Sequence, residues 1–378
     1  MKSTNILIGG DLGPTDSNFS QFIENRVDEL IDDKLFSLLG KADLRIFNLE
    51  VPLTDNPLPI SKDGPCLIAP SATFNGIKSI NPSLLTLANN HILDQSEAGL
   101  FNTMSILKNN GIKFVGAGKN ISEASQSVVM KVNGWKVGVY GCAETEFSIA
   151  DENKSGANPF DPLESPDHIE SLKSQCDYLI VLFHGGKERY RYPTPNLQKV
   201  CRKMISRGAD LVVCQHSHSI GSFELFEEGV IVYGQGNFLF DRHDDEFYRT
   251  GILIKVDLTS SKKVTYIPIK KRGNGVSLAD EEQGKIILDE YYKRSEEIKD
   301  PSFIEDRFNK YCKDNGQFYI ATIAGLGKTI RRIDKILNRP LTRLIYTRKK
   351  LDSLQNHIEC ETHREIILRY IRILNQRD

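Results

Sequence analysis

Six short apolar runs of this chain end directly in side chains able to hold a metal or move a proton. Ile6-Leu7-Ile8 leads into Gly9-Gly10-Asp11, Leu44–Phe47 into Asn48-Leu49-Glu50, and Leu84–Leu87 into Ala88-Asn89-Asn90-His91. Further on, Leu179–Phe183 leads to His184-Gly185-Gly186, Leu211–Cys214 to Gln215-His216-Ser217-His218, and Val230–Tyr233 to Gly234-Gln235-Gly236-Asn237. A single Asp or His in such a place is usually a cap or a satisfied hydrogen-bonding group. Here the positions agree: of eight histidines, His91, His184, His216 and His218 all follow such runs, and His243 comes soon after Asn237. Two histidines one residue apart, as in His216-Ser217-His218, can reach one locus or two adjacent ions. Imidazole combined with carboxylate oxygen suits Zn, Mn or Fe rather than Mg or Ca. Asn90 offers a neutral amide oxygen, His184 another nitrogen, and Glu50 a carboxylate able to bridge two ions. Two ions about 3.5–4 Å apart would polarise a phosphoryl oxygen and activate water as a nucleophile.

Side chains so far apart in sequence need a scaffold that brings strand ends together. The first 270 or so residues alternate β-branched runs with amphipathic segments such as Asn25–Leu39, Glu97–Asn109 and Thr194–Arg207, the pattern of an α/β fold. In such sheets functional groups gather beyond the carboxyl ends of the strands. Two hairpins make the sheets mixed: Ser127–Val132 returns through Asn133-Gly134 to Lys136–Tyr140, and Gly251–Asp257 returns to Val264–Ile269. Asp151–Asp167, rich in Pro, Asn, Asp and Ser, reads as a long loop. Past Asn274 the strand signals stop and the chain turns helical and charged. The expected division is a domain over 1–275 and a basic helical region over 276–378.

The formal net charge is −1, which provides no broad field for nucleic acid or a membrane surface. Seven cysteines without a CxxC pair read as free thiols in a reducing compartment. No apolar run has the length of a signal peptide or a bilayer span, so the expected location is cytoplasmic, at most peripheral to a membrane. The tail is the exception in charge. From Ala321 onward there are 13 Lys plus Arg against 6 Asp plus Glu. Ile366, Ile367, Tyr370, Ile371 and Leu374 mark a basic amphipathic helix there. It either packs its stripe on the main domain or docks on an anionic membrane or an envelope-assembly protein through Arg331, Arg332, Arg343, Arg348, Lys349 and Lys350. Aromatics are too sparse in it for nucleic acid.

The ordered set Gly10-Asp11, Asn48-Leu49-Glu50, Asn90-His91, His184 and His216-Ser217-His218 resembles the calcineurin-like metallophosphatases. Asn48-Leu49-Glu50-Val51-Pro52, Ala88-Asn89-Asn90-His91-Ile92-Leu93-Asp94, His184-Gly185-Gly186-Lys187-Glu188, Gly208-Ala209-Asp210 and Gly234-Gln235-Gly236-Asn237-Phe238 are similar to one branch, the CapA-type proteins of poly-γ-glutamate capsule synthesis. The resemblance covers residues 5–270. It implies a four-layer α/β/β/α sandwich, and a metal-dependent phosphoesterase-like hydrolase serving capsule or surface-polymer production. It places Glu50, Asn90, His184 and His216 on one ion of the Mn, Fe or Zn type, and Asp11, Glu50 and His218 on a second. His91 would stabilise the transferring phosphoryl group or protonate the leaving oxygen, with Asp94 fixing its tautomer.

The pattern is broken in places. The superfamily's Asp-x-His at the first strand is Asp11-Leu12-Gly13 here, a loss that CapA-type sequences share. Gln215 stands for a glycine, and Gly185 for an aromatic. Asp11, Glu50, His91 and His184 could therefore work as a metal-free acid–base site, suited to epimerising a peptide or poly-amino acid. A third reading is a scaffold that binds a surface polymer or its assembly partners without catalysis. Two glycine motifs are set aside. Gly325-Leu326-Gly327-Lys328-Thr329 has Thr322 where a phosphate-binding loop needs glycine, and reads as a cap or turn. Gly116-Ala117-Gly118 reads as a plain turn.

Overall fold

The computed structural model describes residues 2–241, 245–259 and 261–375; His243 lies outside them. Strands are numbered in chain order. One sheet runs β16 (Gly275–Leu278), β15 (Lys263–Arg272), β14 (Thr250–Leu258), β1 (Thr4–Leu12), β2 (Leu44–Leu49), β3 (Leu84–Thr86), β4 (Lys113–Val115), with β13 (Asn237–Leu239) paired to the end of β1. The other runs β11 (Phe223–Phe226), β12 (Gly229–Val232), β10 (Leu211–Gln215), β9 (Tyr178–His184), β7 (Trp135–Ala143), β6 (Val128–Val132). A short ribbon pairs β5 (Ala117–Gly118) with β8 (Gly156–Ala157). Strands β1 to β4 are parallel, whereas β14, β15 and β16 join antiparallel, so the sheet is mixed as expected.

The period-two alternation of each strand sorts its apolar side chains into layers. Ile6, Ile8 and Ile46 from the first sheet meet Val137, Val139, Ile180, Leu182 and Val213 from the second in one buried cluster between the sheets. The alternate residues face outward. Leu7, Phe47 and Leu85 lie under Leu100, Met104 and Leu107 of helix Ser96–Asn109 and Leu35 and Leu39 of helix Asp33–Gly40. Leu179, Val181 and Val212 lie under Leu172, Cys201 and Met204 of helices Glu164–Lys173 and Pro195–Ser206. Each such side chain, fully buried, contributes about 1.5–3 kcal/mol. The result is the four-layer α/β/β/α arrangement.

The Asn133-Gly134 hairpin forms with both turn residues at positive φ, 50° and 88°, which glycine and asparagine tolerate best. Elsewhere tertiary contacts overrode the local reading. Asn25–Leu39 is two helices, Val27–Leu30 and Asp33–Gly40, because Ile31 bridges to Val276 and Asp32 caps the second helix. The Asp151–Asp167 loop contains β8 and the start of helix Glu164–Lys173. Ala117–Gly118 is a strand rather than a turn, and β16 continues the sheet past Asn274.

The chain divides into two compact units, residues 1–304 and 305–378. The first runs beyond residue 275 because β16 completes the sheet there, and helix Glu281–Glu297 then buries Tyr291 beside Ile220 and Ile252. Arg294 of that helix donates through Nε to the Gly221 carbonyl at 2.7 Å. In the second unit, the Asp334 carboxylate ties two helices together by accepting from the Leu341 amide (2.8 Å) and the Thr342 hydroxyl (2.5 Å). Helix Glu361–Asn375 carries the expected stripe, with Ile366 and Tyr370 about 60% exposed (61% and 59%). Gly327 caps helix Lys328–Ile336 and is preceded by helix Pro301–Ile323, not by a strand. No helix among the described residues is long and apolar enough to cross a membrane. All seven cysteines are free.

Candidate metal centre

The ends of β1, β2, β3, β9 and β10 converge, and they carry the expected side chains. His184 is the last residue of β9 and faces the inter-sheet layer by the same alternation that buries Ile180 and Leu182 there. His216 and His218 follow β10 with φ of 80° and 52°, backbone conformations that cost roughly 1–3 kcal/mol each in a non-glycine residue. That turn returns both rings toward β9 and β1. Asp11 sits where the β1–β2 register slips, between Ile8 and Asp11. β13 lies close beside β1 there: a Cβ on Gly10 would lie 1.9 Å from the Gly236 carbonyl oxygen.

Two donor clusters share Glu50. In the first, His184 Nε2 lies 3.0 Å from Asn90 Oδ1, 3.1 Å from His216 Nδ1 and 3.6 Å from Glu50 Oε1. In the second, His218 Nδ1 lies 3.1 Å from Asp11 Oδ2, and His218 Nε2 lies 3.7 Å from Glu50 Oε1. Both triads, Glu50–His184–His216 and Asp11–Glu50–His218, bring one donor atom from each residue within 4.8 Å of the others. Ligands about 2.0–2.2 Å from one ion are about 3.0–3.6 Å from each other. The distances around His184 Nε2 fall in that range, whereas in the second cluster Asp11 faces His218 Nδ1 and Glu50 lies nearest Nε2, so one ring nitrogen meets both carboxylates only within the 4.8 Å of the triad.

The electrostatics fit a cation too. Both carboxylate oxygens of Glu50 are buried without a hydrogen-bond partner, a costly state for a charge. Burial, reinforced by the neighbouring Asp11 carboxylate, pushes the Glu50 pKa well up. Burial likewise pulls His184 well down and His216 down to about 4, so both imidazoles are neutral near pH 7 with lone pairs to give. Burial acts the same way on His218, but Glu50 and Asp11 outweigh it and raise that ring to about 9. A buried carboxylate with no hydrogen-bond partner, facing the neutral His184 and His216 and drawing a proton onto His218, is an environment that a divalent ion would satisfy in place of that proton.

Around the clusters the asparagines form a brace. Asn48 donates to Asp11 Oδ1 at 2.8 Å, and Asn89 donates to Asn48 Oδ1 at 3.0 Å and to the Leu49 carbonyl at 2.9 Å. Asn89 Oδ1 in turn accepts from the His91 amide. His91 and Asp94 stand beside the clusters rather than in them: His91 Nδ1 is 2.6 Å from Asp94 Oδ2, which holds the proton on Nδ1.

Residues 5–242 match the family model described as "Bacterial capsule synthesis protein PGA_cap". The chain belongs to the PGA_cap family. Among curated relatives, the "Capsule biosynthesis protein CapA" of Bacillus anthracis is 30% identical over 182 residues, covering 47% of this chain and 44% of the relative. The "PGA biosynthesis protein CapA" of Bacillus subtilis (strain 168) is 31% identical over 169 residues, covering 44% of each. The chain thus spans under half the length of these relatives. Solved structures with a similar arrangement include a "novel phosphatase" of Mycoplasma pneumoniae, with a TM-score of 0.43, 18% identity and coverage of 71% of this chain and 94% of that one. A putative 5'-nucleotidase of Staphylococcus aureus gives a TM-score of 0.44 at 13% identity, covering 77% of this chain and 58% of that one.

Within this PGA_cap domain several polar residues reach the site that the strand-end reading left without a role. The Lys62 side chain is buried and forms an ion pair with Asp94 Oδ1, with its Nζ 3.3 Å from His91 Nδ1. It lies in an irregular strap that the turn at 91–95 holds down: Leu67 donates to Asp94 Oδ2 at 2.6 Å and Ile60 to the Asp94 carbonyl at 3.1 Å. No periodicity marks that strap in the sequence. Glu146 accepts from Asn90 Nδ2 at 3.2 Å and lies 3.6 Å from His216 Nε2. It follows the end of β7, so the strand-end rule applied to that strand would have reached it. Glu188 is held below the usual range: burial pushes it up, but His216 and His218 prevail.

Proposed function

We propose that this PGA_cap domain is a metal-dependent phosphoesterase-like hydrolase that acts in the making of a capsule or another surface polymer. The observation that carries the reading is Glu50, bare on both oxygens and shared between two donor clusters of metal-ligand spacing. Glu50, Asn90, His184 and His216 would hold one ion of the Mn, Fe or Zn type, and Asp11, Glu50 and His218 a second. Bound there, such ions supply Lewis acidity for a phosphoryl oxygen and acidify a water. The rest is the work of this chain. Asp94 keeps the proton on His91 Nδ1, and the ring would hydrogen-bond the substrate phosphoryl group or pass a proton to the leaving oxygen. Asn48 and Asn89 hold Asp11 and the His91 backbone in place before substrate arrives. The substrate class is a phosphoester attached to, or a precursor of, a poly-amino acid or polysaccharide.

The same proposal assigns the basic helical unit to an anionic lipid surface, because its surplus of cations alternates with exposed Ile, Leu and Tyr. Sedimentation with phosphatidylglycerol vesicles, weakened by added salt and absent with phosphatidylcholine alone, would support it.

The catalytic reading is tested by elemental analysis of the purified chain against a His216→Ala, His218→Ala double variant, followed by phosphoester screening. Near-stoichiometric Mn, Fe or Zn in the wild type, lost in the variant together with turnover, supports the hydrolase. No metal in either after reconstitution overturns it, and directs the search to epimerisation or polymer binding.

A further inference from the structure

One ring nitrogen in each donor cluster is crowded in the same way. His184 Nε2 has Asn90 Oδ1 at 3.0 Å and His216 Nδ1 at 3.1 Å. His218 Nδ1 has Asp11 Oδ2 at 3.1 Å and Asn237 Oδ1 at 2.9 Å. A ring nitrogen carries one proton at most, and one proton cannot serve two acceptors well at these distances. An ion between the donor atoms would. The clusters are then alike: each has Glu50, histidine nitrogen and an asparagine amide oxygen.

The backbone explains how the second asparagine arrives. β13 pairs in parallel with the end of β1 so that Asn237 is the register partner of Asp11, and the bare Gly10 lets the two backbones approach. Asn237 is buried, and its Nδ2 has no hydrogen-bond partner, so nothing else fixes which way the amide faces. Two residues past Asp11, just beyond β1, Gly13 offers no donor, and a Cβ there would lie 2.9 Å from Cδ2 of Phe240. Phe240 follows directly on β13, so the segment that closes one side of the second cluster also delivers Asn237 to it.

We infer that Asn237 is the fourth ligand of the second ion, giving its amide oxygen alongside Asp11, Glu50 and His218. The inference rests on the metal-dependent reading above. It specifies which side chain completes the second site and implies that the full chain takes two ions.

The test uses the full chain stripped with chelator and titrated with Mn²⁺ alone by calorimetry, checked by elemental analysis. Wild type is expected to bind two ions. Asn237→Ala is expected to bind the second at least about 10-fold more weakly, with the first unchanged, and Asn237→Asp to restore two. Circular dichroism and melting of both variants establish that they fold. An anomalous-difference map of Mn-soaked wild-type crystals should place an ion about 2.0–2.3 Å from Asn237 Oδ1. Two ions bound by Asn237→Ala with wild-type affinity overturn the inference and leave the hydrolase reading intact. So does an ion beyond about 3 Å from Oδ1, which would make Asn237 only an acceptor for His218 Nδ1–H. A wild type that binds no ion overturns both.

Discussion

Replacing Lys62 with methionine removes one member of a buried ion pair and keeps most of the side-chain volume. The side chains of Lys62 and Asp94 are 2% and 0% exposed, so neither charge is rehydrated when the other is lost. Stranding one member of a buried pair costs about 3–5 kcal/mol. Asp94 retains the Leu67 amide and the His91 ring as donors, which places Lys62→Met at the lower end, about 3 kcal/mol. Asp94→Asn strands the lysine instead and should cost at least as much. The double variant has no charge left at this pair, and a coupling of at least about 2 kcal/mol should appear in the cycle. Urea unfolding followed by the fluorescence of Trp135 measures this cleanly, since it is the single tryptophan and lies buried in the first unit. A Lys62→Met variant within about 1 kcal/mol of wild type, or singles that simply add, would refute the claim that this pair is desolvated and coupled.

Glu50→Gln should lose most of the rise in melting temperature that excess Mn²⁺ gives the wild type, because the carboxylate shared by the two donor clusters is removed, and melting curves with and without the ion measure it. His218, raised to about 9 from 6.5, stabilises the metal-free fold below about pH 6.5, and that contribution is lost as pH rises through 9. The stability gap between wild type and His218→Asn in chelator should therefore shrink by about 3 kcal/mol from about pH 6 to about pH 9.5, read from urea midpoints. His91→Gln should lower kcat on any phosphoester found by about 10²–10⁴-fold with metal content unchanged, as steady-state kinetics and elemental analysis would show.

What was legible in the sequence was whatever a strand end could announce. Asp11, Glu50, Asn90, His184, His216 and His218 stand where apolar runs stop, and the structure brings all of them to one locus. The layers followed from the same alternation, with Ile6 and Ile8 on one face and Leu7 on the other. Lys62 was invisible because its partner is chosen by an irregular strap with no period to read. Asn237 was visible as part of a motif but had no role, since β13 is three residues long and its pairing with β1 is set by distant backbone, not by local pattern. The break at Ile31 and the late strand β16 have one cause: Ile31 bridges to Val276 across most of the chain, a contact that no local window contains.

Gly10 has no side chain to offer an ion, yet every side chain at that position collides with the Gly236 carbonyl. A saturation screen for activity would therefore find position 10 as intolerant as the histidines, with even alanine rejected. Such a result would say nothing about chemistry at the glycine. It would measure how close two strands must lie for Asp11 and Asn237 to stand side by side, a spacing that selection can preserve only by keeping that position empty.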